Sequence, residues 1–129
     1  MSAEHSGYQY VVLRCVPRVD REEFVNVGVV VYCQARDFLR SASRVDAARL
    51  RAVGGDRLDA AEVEEALAAI EAVCVGDGPP GSPASEPIGT RFGFVSAPRS
   101  TVVQPGPIHG GVADDPEREL ADLLDRLVG

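Results

Sequence analysis

The chain has 129 residues, 45% of them hydrophobic, which suits a single domain able to bury a core without disulfides or metals. Thirteen arginines stand against 20 acidic residues, for a formal net charge of -7, and this balance opposes the basic surface that phosphate backbones demand. No lysine is present, so a lysine Schiff base and a phosphate-loop lysine are both excluded.

Tyr8 to Val16 is rich in β-branched and aromatic residues and meets Pro17, a pattern that predicts a strand buried on both faces and stopped by the proline. Val25 to Cys33 predicts a second strand. A strict alternation places Val25, Val27, Val29, Val31 and Cys33 on one face and Asn26, Gly28, Val30 and Tyr32 on the other. The connector Arg18-Val19-Asp20-Arg21-Glu22-Glu23 is too short for a crossover helix, so the two strands are expected to form an antiparallel hairpin. Asn26 and Gly28 interrupt the valines, which calls for a bulge or for close approach of another group; the alanines Ala66, Ala68 and Ala69 of a packed helix suffice to fill the gap.

Phe38 to Val45 reads as a third strand. Asp46 then caps a short helix that Gly54 stops, and Asp59 followed by Glu62 opens a longer one with Val63, Ala66, Leu67, Ile70, Val73 and Cys74 at helical spacing. The run 76–87 is dense in Gly, Pro and Ser and has almost nothing to bury, so a mobile surface loop is expected there within the same single domain, 1–129. Arg91 to Val95 and Ser100 to Val103 each predict a short strand, with Pro98 at a bend or edge. Asp115-Pro116 starts a terminal helix whose buried side is Leu120, Leu123, Leu124 and Leu127, and whose exposed face lets Asp122 pair with Arg126. The expected architecture is α+β: an antiparallel sheet of four or five strands covered by two main helices.

Between Phe94 and Gly111, three prolines stiffen a segment crowded with polar groups. Arg99, Ser100 and Thr101 offer a guanidinium, two hydroxyls and backbone amides able to hold a phosphate or carboxylate, or else a turn whose hydroxyls satisfy nearby backbone. Arg14, at the end of the first strand, can join that cluster or pair with Glu22 or Glu23, as can Arg18. His109, between Pro107 and a glycine pair, is the candidate for proton transfer, although a loop histidine is more often inert. His5 is its sole companion, so no histidine metal site is expected, and Asp115 is already spent as a cap.

A Ser100, His109, Asp114 triad can be written, but no nucleophile-elbow pattern surrounds Ser100. Cys15, Cys33 and Cys74 sit in apolar runs and read as buried, inert thiols of a reducing compartment. The longest apolar run, Val29 to Cys33, is far short of a membrane span, and a soluble cytoplasmic protein is expected. Seven aromatic residues without clustering argue against stacking on single-stranded nucleic acid.

The blocks Tyr8 to Arg18, Arg21 to Val29 and Ala97 to Pro105 through His109, in this order, give a chain that resembles an uncharacterised bacterial family, domain of unknown function 3037. The resemblance brings no activity. It implies a protein partner, because members are often encoded near a HipA-like kinase. Two functions therefore stand: a non-catalytic accessory module that binds a partner through the Arg99 to His109 surface or a sheet edge, and a domain or enzyme for a small phosphate or carboxylate ligand using Arg14, Arg99, Ser100, Thr101 and His109. No cofactor is called for by either; a homo-oligomer built through the sheet edge is a variant of the first.

Overall fold

Strand β1, Ser6–Arg18, runs through the middle of an antiparallel sheet, and every other strand is placed by its relation to it. The structure is a computed structural model that describes residues 5–18, 23–55, 58–98 and 102–129. Strand β2, Glu23–Cys33, pairs with one side of β1, and β3, Phe38–Ser43, pairs with the far side of β2. The other side of β1 is taken in sequence by β4, Val103–Pro105, and β5, His109–Ala113, both antiparallel to it. The predicted antiparallel pairing of the first two strands and the α+β class are observed, with five strands among the described residues.

Helices lie on both faces. Helix α1 is Ala47–Gly54, α2 is Ala60–Val75, α3 is Ile88–Ser96 and α4 is Pro116–Leu127. The first three share a core with Val11, Leu13, Cys15 and Val30 on one face of the sheet. The second face carries α4, whose Leu120, Leu123 and Leu124 bury Val29, Val31, Cys33 and Tyr8. Burying one such leucine contributes about 2 kcal/mol.

Three aspartates begin three helices as expected. Asp46 accepts from the amides of Ala48 and Arg49, Asp59 from Ala61, and Asp115 from Glu117 and Arg118. Helix α2 has no basic residue in its last turn; Arg91 of α3 supplies one, donating to the carbonyls of Cys74 at 2.7 Å and Val73 at 3.4 Å.

The expected alternation of β2 holds only along part of the strand. Leu13 pairs with Gly28 and Arg14 with Asn26, so Val27 is an extra residue, and this bulge turns the rest of the strand over. Val25 and Val27 share the α2 face with Val30, whereas Val29, Val31 and Cys33 face α4. The gap at Gly28 is closed by the sheet itself and not by the alanines of α2: a Cβ there would stand 2.9 Å from the Ala42 carbonyl and 3.4 Å from Leu13. Asn26 is used as well, its amide donating to the Leu127 carbonyl at 3.0 Å and so tying the end of α4 to the bulge.

Other expectations are corrected. Pro17 does not end β1, which continues to Arg18. The third strand ends at Ser43, and helix α1 takes in Gly54 and is closed by Gly55 at a φ of 57°. Arg91 to Val95 is helical: Ile88, Phe92 and Val95 fall on one side of α3, Phe92 stacking on Tyr32 at 4.9 Å between ring centroids. Within 76–87, Ala84 is buried and Ser82 and Ser85 bind the turn's own backbone. On α4, Arg126 lies 3.7 Å from Glu119 and does not pair with Asp122.

Candidate functional site: a half-open sheet face

Helix α4 crosses β2 and β3 and reaches Tyr8 of β1 and Ala113 of β5; among the described residues the second face of β1 beyond Tyr10, and of β4 beside it, carries no helix. Strand alternation brings Tyr8, Tyr10, Val12 and Arg14 onto this face, opposite the buried Val11, Leu13 and Cys15. Across the ladder, Tyr10 pairs with His109 and Arg14 with Gln104. Tyr10, Val12, Arg14 and Gln104 are half-buried, and His109 is exposed.

The segment that bears His109 is a strand, not the flexible loop expected from its glycines. Pro105 and Pro107 are tolerated because β4 and the residues after it form an edge, where a missing amide costs no ladder bond. Leu13 pairs with Pro105 but Tyr10 with His109, so three residues, 106–108, oppose two, 11 and 12; Gly106 still donates to the Val12 carbonyl at 2.8 Å. From Val103 onward the proline-rich segment is thus an edge strand with a bulge.

Aromatic rings run along this face. Tyr8 and Tyr10 stand 6.0 Å apart and Tyr10 and His109 5.1 Å apart, each pair inclined by 28°. The Tyr8 hydroxyl donates to Glu119 Oε1 at 3.1 Å, and burial, reinforced by that carboxylate, pushes its pKa up to about 12. Toward the other end, the Arg14 guanidinium carbon lies 4.5 Å from the centroid of the Phe24 ring, a cation–π contact. Phe24 itself is 48% exposed.

Of the five residues expected to hold an anion, Arg14 and His109 share this face, four positions apart along β1 and so about 13 Å from one another along the strand. Arg99, Ser100 and Thr101, like most of the charged connector, lie outside the described residues. The residues that sequence reasoning passed over are Tyr10, Val12, Phe24 and Gln104. Tyr10 and Val12 were findable from their alternation with Arg14; Phe24 and Gln104 reach the site only through pairing and the bulge. The thiols are core residues. Burial pushes Cys15 up to about 11 and Cys74 up to about 12, and Cys33 contacts the Gly7 carbonyl at 3.5 Å. Among the described residues no group of three or more His, Cys, Asp or Glu side chains is placed to hold a metal ion, and no helix is long and apolar enough to cross a membrane.

Residues 10–128 match the family model of proteins of unknown function DUF3037. The chain belongs to this family. The match takes in β2 to α4 and all of β1 from Tyr10 onward, so the half-open face of this DUF3037 chain, apart from Tyr8, lies inside the shared region. No curated protein and no solved structure matches the chain.

Proposed function

We propose that this DUF3037 protein is a small accessory module, without catalysis of its own, that docks a protein partner on the half-open face of β1, β4 and β5. The observation that carries this reading is a central strand whose Tyr10, Val12 and Arg14 remain half-buried beside an exposed Phe24, where the rest of the same face is packed under α4. Aromatic and arginine side chains clustered about an apolar floor are the composition of interface centres, and a partner that covers them gains both apolar burial and the Arg14 contact. The family resemblance makes a HipA-like kinase the first partner to try, and the module is read as acting in the cytoplasm.

Co-expression with a HipA-like kinase of the same organism, followed by titration calorimetry, tests this. Binding is expected at micromolar concentration or tighter, with Phe24→Asp and Arg14→Glu each weakening it by roughly tenfold or more. Absence of a complex at micromolar concentration, or unchanged affinity in both variants, refutes the reading.

A further inference from the structure

The sheet has two outer edges, and they are treated differently. At β3 the edge is occupied: Glu71 of α2 accepts from the Ser41 backbone amide at 3.2 Å and lies 3.5 Å from Arg40, so a side chain takes the place of a neighbouring strand. On the opposite side, β4 carries Pro105 and is followed by Pro107, both of which lack a donor. Strand β5, His109-Gly110-Gly111-Val112-Ala113, has neither device. It contains no proline, aspartate, glutamate or arginine, Val112 is 67% exposed, and among the described residues β1 is the strand it pairs with.

We infer that the free edge of β5 pairs with β5 of a second copy of this chain, antiparallel about a two-fold axis at Gly111, joining two sheets into one. The sequence of the strand is complementary to itself in this arrangement. Pairing about Gly111 sets Val112 of each copy opposite Gly110 of the other and His109 opposite Ala113, so each larger side chain meets a small one. Position 110 has the room. A Cβ built there would meet just the Tyr8 carbonyl, at 3.8 Å, and Gly110 lines a groove of about 300 Å³ with Gly7, Gln9, Tyr32 and Gln34 on the side of the sheet to which Val112 points.

Charge favours the same direction. Antiparallel pairing about Gly111 sets the exposed Asp114 of each copy opposite Ile108 of the other, whereas parallel pairing in register sets Asp114 beside Asp114 and makes two carboxylates repel. A pair of five-residue strands is a small interface, and association is expected in the micromolar range. The strand edge is distinct from the sheet face proposed for the kinase-like partner, so either proposal can fail alone.

Sedimentation equilibrium over a micromolar concentration series tests it, together with two exposed-site variants. Gly110→Leu fills the groove from a position whose Cβ has room, 3.8 Å from the Tyr8 carbonyl, and Val112→Lys places a charge on the edge. Wild type is expected to pass from monomer to dimer, both variants to remain monomeric and to melt as the wild type does at concentrations where it is monomeric, and a Gly110→Cys, Val112→Cys double variant to cross-link to a dimer on oxidation, the native cysteines being buried. A wild type that stays monomeric, a dimer that survives both single variants, or a double variant that never cross-links would overturn the pairing.

Discussion

The ring of Tyr8 occupies the space that a side chain at position 111 needs: a Cβ on Gly111 would lie 2.6 Å from the Tyr8 ring and hydroxyl. The two residues are ladder partners, so the glycine is what lets the phenol lie across β5 and reach Glu119 on α4. Strand, edge and helix are locked together at this point, beside the row of rings that ends at His109.

Gly111→Ala is therefore expected to destabilise the fold by about 1–3 kcal/mol, the usual cost of forcing an added methyl into occupied space. Tyr8→Phe keeps the packing and loses the hydroxyl bond to Glu119, which costs about 1.5 kcal/mol. Urea denaturation measures both. Equal stability of wild type and Gly111→Ala would show that the ring moves aside freely.

Asn26 offers a second test, because its amide joins the β2 bulge to the last turn of α4 through the Leu127 carbonyl. Asn26→Ala is expected to cost about 1 kcal/mol, and Asn26→Asp more, since a carboxylate facing a carbonyl repels where the amide donated. Loss of helical circular dichroism at lower urea in both variants checks the link. This bulge also explains why the sequence pattern alone assigns the faces of β2 incorrectly. An alternation of valines looks the same on either face, and the slip at Val27 is fixed by pairing with Leu13 and Arg14, which no local pattern encodes.

Features fixed by near neighbours in the chain are legible in the sequence, and features fixed by pairing or packing are not. Asp46, Asp59 and Asp115 act within three residues of themselves, and their caps are visible in the sequence. Phe92 and Val95 look like strand residues because phenylalanine and valine favour strands; contact with Tyr32 and α2 makes them helical. His109 to Ala113 has low strand propensity and is a strand because β1 pairs with it. The anion cluster drawn from Arg14 to His109 keeps its two flanks on one face, while its middle, Arg99 to Thr101, lies outside the described residues.

Alkaline pH is expected to weaken the fold. Unfolded thiols ionise near 9.0 and an unfolded tyrosine near 10.0, whereas burial holds Cys15 to about 11, Cys74 to about 12 and Tyr8 to about 12. Above pH 9 the unfolded chain releases protons that the folded chain keeps, so stability that is complete below that value is lost progressively as pH climbs toward 12. Urea midpoints at pH 7, 9 and 10.5 should fall in that order, and Cys74→Ala should flatten the decline. A midpoint that rises with pH in this range would contradict the burial of these groups.

Asp115 concentrates two roles at the junction between β5 and α4. Its carboxylate accepts from the amides of Glu117 and Arg118 at 3.1 and 3.4 Å, while Pro116 fixes the first helical residue and removes a third amide from need. Asp115→Ala is expected to cost about 1 kcal/mol, and Asp115→Asn much less, because an amide oxygen caps nearly as well as a carboxylate. The effect should reach beyond the helix start: Tyr8 bonds to Glu119 in the first turns of α4, so fraying there frees the phenol. Tyrosine fluorescence followed along a urea titration is expected to report the Tyr8 environment changing before global unfolding in Asp115→Ala and together with it in wild type. Coincident transitions in both proteins would show that the cap and the aromatic row are not coupled.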